Sequence, residues 1–170
     1  MQKKKESLSR EELDALCATA LGNGTEGDAP ALSALAASAK QGAAKAALSS
    51  PARRAGFRSL LQSSQPKVRK TAARLLGEVG GQNEAPALRA AIEREETLFV
   101  LPSLLLALGR CGGPEDIPFL KEVEETRRER SNGDSPKHEA EIQSAIRSAA
   151  ASLRPPVEIH LSTLPPLALH

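Results

Sequence analysis

The residues that could carry out chemistry in this sequence are few and far apart. Cys17 and Cys111 could serve as nucleophiles or thiolate ligands, but neither belongs to a Cys-x-x-Cys or a Cys/His pattern. His138 and the glutamate that follows it are potential metal ligands, although a metal site needs several such residues close together. The other two histidines, His160 and His170, lie near the end of the sequence. We therefore predict no catalytic residue, no metal site and no cofactor.

Two glycine pairs, at 80–81 and 112–113, share with phosphate-binding loops only their glycine content. No strand-like segment precedes either pair, and the Gly-Lys-Ser/Thr sequence of such loops is missing. What precedes each pair is an apolar segment rich in leucine. We expect each pair to end a helix in the left-handed conformation, which glycine adopts without a steric penalty.

The composition predicts an all-α protein. Hydrophobic residues make up 40% of the chain and are mainly Ala and Leu, and there are three Phe, no Trp and no Tyr. Strands favour β-branched and aromatic residues, whereas Ala and Leu favour helices. The longest apolar run, 98–108, is shorter than the roughly 20 residues that cross a bilayer. With no secretory signal and no disulfide pattern, we expect a cytoplasmic protein without membrane contact.

An internal repeat organises the chain. Residues 75–88 and 107–120 match at an offset of 32, and a third, shorter copy occupies 20–32. The shared positions are Leu76/Leu108, Gly77/Gly109, Gly80/Gly112, Gly81/Gly113, Pro86/Pro118 and Leu88/Leu120. Each copy combines the end of a helix, a turn, and a proline in the first turn of the next helix. The glycine inside the helix is expected to let its paired helix approach closely.

This pattern predicts helix pairs and a domain plan. The pairs are 9–21 with 28–39, 41–49 with 51–63, 66–79 with 83–95, and 97–111 with 115–130, followed by a capping helix at 138–153. We expect a disordered basic N-terminus at 1–8 and a repeat domain at 9–153. The extended tail, 154–170, could begin a following domain.

The segment 66–80, followed by Ala-Pro-Ala-Leu at 85–88, resembles HEAT repeats. More narrowly, it is similar to the short bacterial HEAT-like repeats also found in phycobilin lyases. The resemblance covers 66–126 well and 9–38 less closely. It implies a right-handed α-solenoid of about four helical hairpins plus a capping helix, with a curved binding surface. It implies no particular activity, because the fold hosts many functions.

The charge distribution is the most specific functional signal. The net charge is only +2, yet no Asp or Glu occurs between Ala29 and Gly77. That window holds nine bases: Lys40, Lys45, Arg53, Arg54, Arg58, Lys67, Arg69, Lys70 and Arg74. A solenoid keeps sequence neighbours together, so this window predicts a basic surface for a polyanionic partner. A solvated face or repeat scaffolding is the alternative, and Arg69 in particular fits a structural role.

The residues predicted to contact the anion are Arg53, Arg54, Arg58, Lys67, Lys70 and Arg74. The partner would be a protein or a nucleic acid, with RNA favoured over DNA. Because the chain has no Trp or Tyr to stack on bases, contacts to a nucleic acid would be to phosphates.

A second, apolar interface is also predicted. At the offset of 32, residues of the helix 97–111 replace polar residues of 66–79, and the tail alternates apolar with polar residues. The residues concerned are Leu101, Leu105, Leu106, Val157, Ile159 and Leu161. The tail could fold over this helix, pair with a second copy to form a homodimer, or lead into a further domain.

These observations predict a non-catalytic HEAT-repeat scaffold or adaptor that binds another macromolecule through a basic surface. One alternative is the N-terminal substrate-targeting module of a larger nucleic-acid-modifying enzyme, such as an RNA methyltransferase. Another, implied by the repeat resemblance alone, is a bilin lyase or its chaperone-like subunit. The absence of Tyr and Trp to line a tetrapyrrole pocket counts against the latter.

Overall fold

The computed structural model describes residues 7–130 and 135–155, and this part of the chain contains helices and turns but no strand. Its nine α-helices are α1 (Arg10–Leu21), α2 (Ala29–Ser38), α3 (Gly42–Leu48), α4 (Pro51–Leu60), α5 (Pro66–Val79), α6 (Ala85–Arg94), α7 (Leu101–Cys111), α8 (Ile117–Arg130) and α9 (Pro136–Leu153). A 3-10 turn precedes α6 and another precedes α8. The predicted all-α solenoid is confirmed. The one large boundary difference is at α7, which begins at Leu101 because residues 98–100 form a turn.

The helices begin where their local sequence favours it. The Asp28 side chain accepts a hydrogen bond from the Ala31 N–H at 2.8 Å and caps α2. Pro86 and Pro118 lie in the first turns of α6 and α8, as predicted, where a missing N–H costs little. At α1, Ser9 and Glu12 form a reciprocal capping box.

The prediction that the glycine pairs end their helices in the left-handed conformation is wrong. Gly80 and Gly112 follow α5 and α7, but their φ angles are −84° and −77° with extended ψ, so neither is left-handed. Glycine is required there for space instead. A Cβ on Gly80 would lie 2.5 Å from the Leu76 carbonyl oxygen, the same oxygen to which the Gly80 N–H donates. The turn is therefore too tight for any side chain.

The helices pack in two rows. α5 packs on α7 and α7 on α9, and α2 extends this row on the other side of α5. α4, α6 and α8 form the second row by packing on α5, α7 and α9 respectively. α5 thus packs on α4 and α7 more extensively than on α6, the helix that follows it. The predicted pairing of 66–79 with 83–95 describes the chain order but is wrong for the packing.

Glycines inside the helices set the spacing of the first row. A Cβ on Gly77 would lie 3.2 Å from the Cα of Ala107, and one on Gly109 would lie 2.7 Å from the Cα of Ala149. The predicted close approach is confirmed. Its partner is the next helix of the same row, α7 for Gly77 and α9 for Gly109, rather than the following helix in the chain.

We expect Gly109→Val to destabilise the fold by at least about 2 kcal/mol, because the new side chain must push α9 away from α7. Gly81→Val is the matched control, since a Cβ there meets nothing within 4 Å and the backbone is extended. Urea denaturation of the two variants and the parent protein tests this. Equal midpoints for the two variants would contradict it.

The apolar core runs through both rows and includes the two cysteines. Cys17 and Cys111 are 5% and 2% exposed. Burial raises the pKa of the Cys17 thiol. Burial, with a smaller contribution from the charge of Glu84, raises the pKa of Cys111 to about 11. The Cys111 thiol donates to the Leu76 carbonyl at 3.4 Å. The interpretation of these residues as small apolar core side chains is confirmed.

We therefore expect neither cysteine to react with a thiol-specific disulfide reagent at mildly alkaline pH while the protein is folded, because the thiolate is the reactive form. Both should react in denaturant. Titration of free thiols under the two conditions is the measurement. Rapid labelling of the folded protein at Cys111, with Cys111→Ser as the control, would be inconsistent with this structure.

In the described ranges, no helix combines the length and the apolar character that crossing a bilayer requires.

Candidate anion-binding face

Four of the nine bases in the basic window form salt bridges with carboxylates that lie outside this window in the sequence. Arg53 pairs with Asp14 on α1. Arg54 and Arg58 on α4 both pair with Glu84, and Arg69 on α5 pairs with Glu95. These four pairs join parts of the chain that are far apart in sequence. Much of the local charge is therefore neutralised within the protein.

Glu84 lies at the centre of one such contact. Its side chain is fully buried, and Arg58 Nη1 donates to its two carboxylate oxygens at 3.0 and 3.2 Å. Arg54 Nη1 lies 3.7 Å from the same group. A buried carboxylate needs such partners, because an unpaired charge in the interior is strongly unfavourable. Arg54 and Arg58 therefore connect α4 to the turn before α6.

The next repeat has the same arrangement. Asp116, which is 1% exposed, lies 32 residues after Glu84 in the turn before α8. It accepts hydrogen bonds from the Arg89 guanidinium on α6 and from the Gly113 N–H, the latter at 3.0 Å. In the second row, α4 and α6 are thus each joined through arginine to a buried carboxylate in the turn before the next helix of that row.

Arg69 makes a two-pronged contact with Glu95. Its Nε and Nη2 donate to the two Glu95 oxygens at 2.8 and 2.9 Å, and its Nη1 donates to the Ser63 carbonyl at 2.8 Å. Burial alone would raise the pKa of Glu95, but hydrogen bonds from Arg69 and Thr97, with the charge of Arg69, outweigh burial and hold that pKa below its usual range. The structural interpretation of Arg69 agrees with these contacts.

We expect Glu95→Gln to lower the free energy of unfolding at neutral pH by about 3 kcal/mol, because Arg69 loses its buried counter-charge. A carboxylate whose pKa is depressed by folding stabilises above its unfolded-state pKa, near 4.3, and loses that contribution as pH falls through the folded-state value. The variant should therefore lose less stability than the parent in this acid range. Urea unfolding as a function of pH measures both effects, with exposed Glu93→Gln as the control. If the variant and the parent protein lost the same stability on acidification, the depressed pKa of Glu95 would be contradicted.

Four of the five remaining bases define a surface that we call the basic face: Lys40, Lys67, Lys70 and Arg74. The three on α5 follow one another at spacings of three and four residues, on the side away from the core. Lys40, just after α2, lines a pocket of about 220 Å³ together with Arg74. None of the four forms a salt bridge with a residue in the described ranges. The fifth unpaired base of the window, Lys45, lies on α3.

Apolar side chains border the basic face. Leu106 and Phe99, at 44% and 38% exposed, are the large hydrophobic residues that stand out on the described surface. Leu106 lines the same pocket as Lys40 and Arg74. The Lys70 Nζ lies 5.8 Å from the centroid of the Phe99 ring, within the range of a cation–π contact. The cations of the basic face therefore lie next to the exposed apolar side chains of Leu106 and Phe99.

The predicted apolar interface is only partly available. Leu101 and Leu105 are 1% and 0% exposed, so their assignment to an interface is wrong. α7 is packed between α5 and α9 and also contacts α6, and this burial accounts for the loss of its polar face. Leu106 alone of the three leucines is exposed. The tail residues predicted for this interface lie outside the described residues: Val157, Ile159 and Leu161.

His138 lies in the first turn of α9, where its Nδ1 is 2.9 Å from the Ser135 hydroxyl. Across 7–130 and 135–155, no three side chains among His, Cys, Asp and Glu are grouped as a metal ion would require.

Comparison with known proteins agrees with this architecture. The family model described as HEAT repeats matches residues 54–131, which begin within α4 and continue through α8. This segment is therefore similar to HEAT repeats. It contains three of the four cations of the basic face and the two buried carboxylates Glu84 and Asp116. Searches of curated proteins and of solved structures gave no match.

Several residues that matter here could not be predicted from the sequence. Glu84 and Asp116 occupy equivalent positions of the two repeats, where an acidic residue is typical of a helix start and does not indicate burial. Lys40 lies inside the basic window, but no other base shares a helix with it, so the sequence does not indicate which surface it belongs to. Phe99 carried no signal, because its proximity to Lys70 depends on the turn before α7.

Proposed function

We propose that this chain is a non-catalytic scaffold that binds another macromolecule through the basic face. The observation that carries the proposal is the separation of the bases into two groups. Arg53, Arg54, Arg58 and Arg69 are engaged with carboxylates of the chain, whereas the four cations of the basic face form no salt bridge with any residue in 7–130 or 135–155. Glu78, a carboxylate that lines the pocket of Lys40 and Arg74, is itself paired with Arg110. Such a surface attracts polyanions.

A role without catalysis is supported by the state of the reactive residues. Both cysteines are buried and their pKa values are raised, which disfavours the thiolate that a nucleophile requires. HEAT repeats form a helical scaffold, and the position of the basic face on the α2–α5–α7 row gives that scaffold a surface for a partner.

The partner is a protein or a nucleic acid with a high density of negative charge. If it is RNA, the four cations limit the number of phosphates neutralised. The slope of log affinity against log salt should then be no steeper than about −3 for a single strand.

We expect the triple variant Lys67→Glu, Lys70→Glu and Arg74→Glu to weaken polyanion binding at least about tenfold, since each change removes an attraction and adds a repulsion. Fluorescence anisotropy with labelled single- and double-stranded RNA, DNA and polyglutamate, over a series of salt concentrations, measures this. The matched control reverses three exposed cations elsewhere: Lys121, Arg130 and Lys137.

The control should retain its affinity although its net charge changes by the same amount. Arg58→Gln should cost stability by removing a partner of Glu84, with little change in affinity. Equal losses of binding in the two triple variants would refute the proposed face, because the attraction would then reflect net charge alone.

A further inference from the structure

We infer that the partner is a protein, and that it binds the basic face and the adjoining edge of α7 through an acidic segment that also carries an apolar side chain. This inference rests on the proposed function and specifies the chemistry of the partner. It follows from the change in character of this surface between α5 and α9.

The equivalent positions of the two repeats differ in a systematic way. At the offset of 32, Lys70 corresponds to Pro102 and Arg74 to Leu106. All four lie on the same side of the α5–α7 row, away from the core. The surface therefore changes from cationic on α5 to apolar on α7 within the width of one helix. A partner that matches it must change from acidic to apolar over the same short distance.

Beyond Leu106, α7 and α9 form a groove of about 470 Å³ that is lined by these residues: Pro102, Leu106, Ala140, Glu141, Ser144, Ala145 and Ser148. Among these described lining residues the charged side chain is a carboxylate, that of Glu141. A nucleic acid that followed the surface from α5 to α9 would bring phosphates towards Leu106 and Glu141, and none of these lining residues is a cation. A protein segment can place an apolar side chain there instead.

The pocket beside Leu106 brings the two kinds of contact together. Lys40, Arg74 and Leu106 line the same space of about 220 Å³, and the charge of Glu78, which also lines it, is paired with Arg110. A carboxylate and a neighbouring apolar side chain can therefore be received there side by side. Phe99 adds a second apolar contact next to Lys70. Ion pairs formed against these apolar groups are less exposed to water and salt than pairs on an open surface.

The probes are two fluorescein-labelled peptides and one RNA. The first peptide is a run of glutamates with two leucines four residues apart, a spacing that places both on one helical face. The second has serine at both leucine positions, and the RNA is a single-stranded oligouridylate of similar charge. Binding of each to the full chain, to the Lys67/Lys70/Arg74 triple variant and to Leu106→Ser is measured by anisotropy.

We expect the leucine peptide to bind about tenfold more tightly than the serine peptide, because burial of a leucine side chain is worth about that factor. Leu106→Ser should abolish the difference while leaving the affinity for the serine peptide unchanged. The triple variant should weaken both peptides. Urea denaturation of Leu106→Ser checks that the fold is retained, as expected for a side chain that is nearly half exposed.

Equal affinity for the two peptides, or a leucine advantage that persists in Leu106→Ser, would overturn the inference. Tighter binding of oligouridylate that is lost in the triple variant would also overturn it, but would leave the proposed function standing. If no probe binds the parent protein more tightly than the triple variant, both the inference and the proposed function fail.

Discussion

The structure depends above all on the burial of acidic side chains between successive repeats. Glu84 and Asp116 lie in the interior, where a carboxylate persists only with charged and hydrogen-bonding partners around it. An arginine from the preceding helix of the same row satisfies each one. The arginine cannot reach its partner unless the next helix starts at the right place, so the electrostatic requirement also fixes how one repeat follows another. Three arginines serve this requirement: Arg54, Arg58 and Arg89.

The same constraint separates the scaffold from the surface available to a partner. Arg54, Arg58 and Arg69 meet carboxylates of the chain, while the cations on the outer side of α5 form no salt bridge with a described residue. The close contacts of Gly77 with Ala107 and of Gly109 with Ala149 keep α5, α7 and α9 adjacent. The outer sides of these helices therefore form one continuous surface, and the properties of that surface change along the row.

Much of the fold could be predicted from the sequence, because it depends on local and repeating signals. The offset of 32 residues, the prolines in first turns and the glycines inside helices identified the helices and the close approach between them. The pairing of α5 with α4 rather than α6, and the extended backbone at Gly80, depend on contacts between distant residues that no local pattern encodes.

The candidate site was predicted less well for the same reason. Lys67, Lys70 and Arg74 share a face that helical spacing reveals, whereas the partners of Arg53, Arg54 and Arg58 come from outside the basic window. The burial of Leu101 and Leu105 could not be predicted, because the covering of α7 by its neighbours is a tertiary property.

The way α9 is attached has a consequence for the behaviour of the protein in different solvents. Within the described ranges, salt bridges join α1 to α4, α4 to the turn before α6, α6 to the turn before α8, and α5 to α7, but none joins α9 to another helix. α9 is held by apolar packing that includes Ile142, Ile146 and Leu153. Cooling weakens hydrophobic association, whereas salt and acid weaken ion pairs. The two ends of the stack are therefore sensitive to different conditions. A repeat array with this arrangement can loosen at one end while the other remains intact.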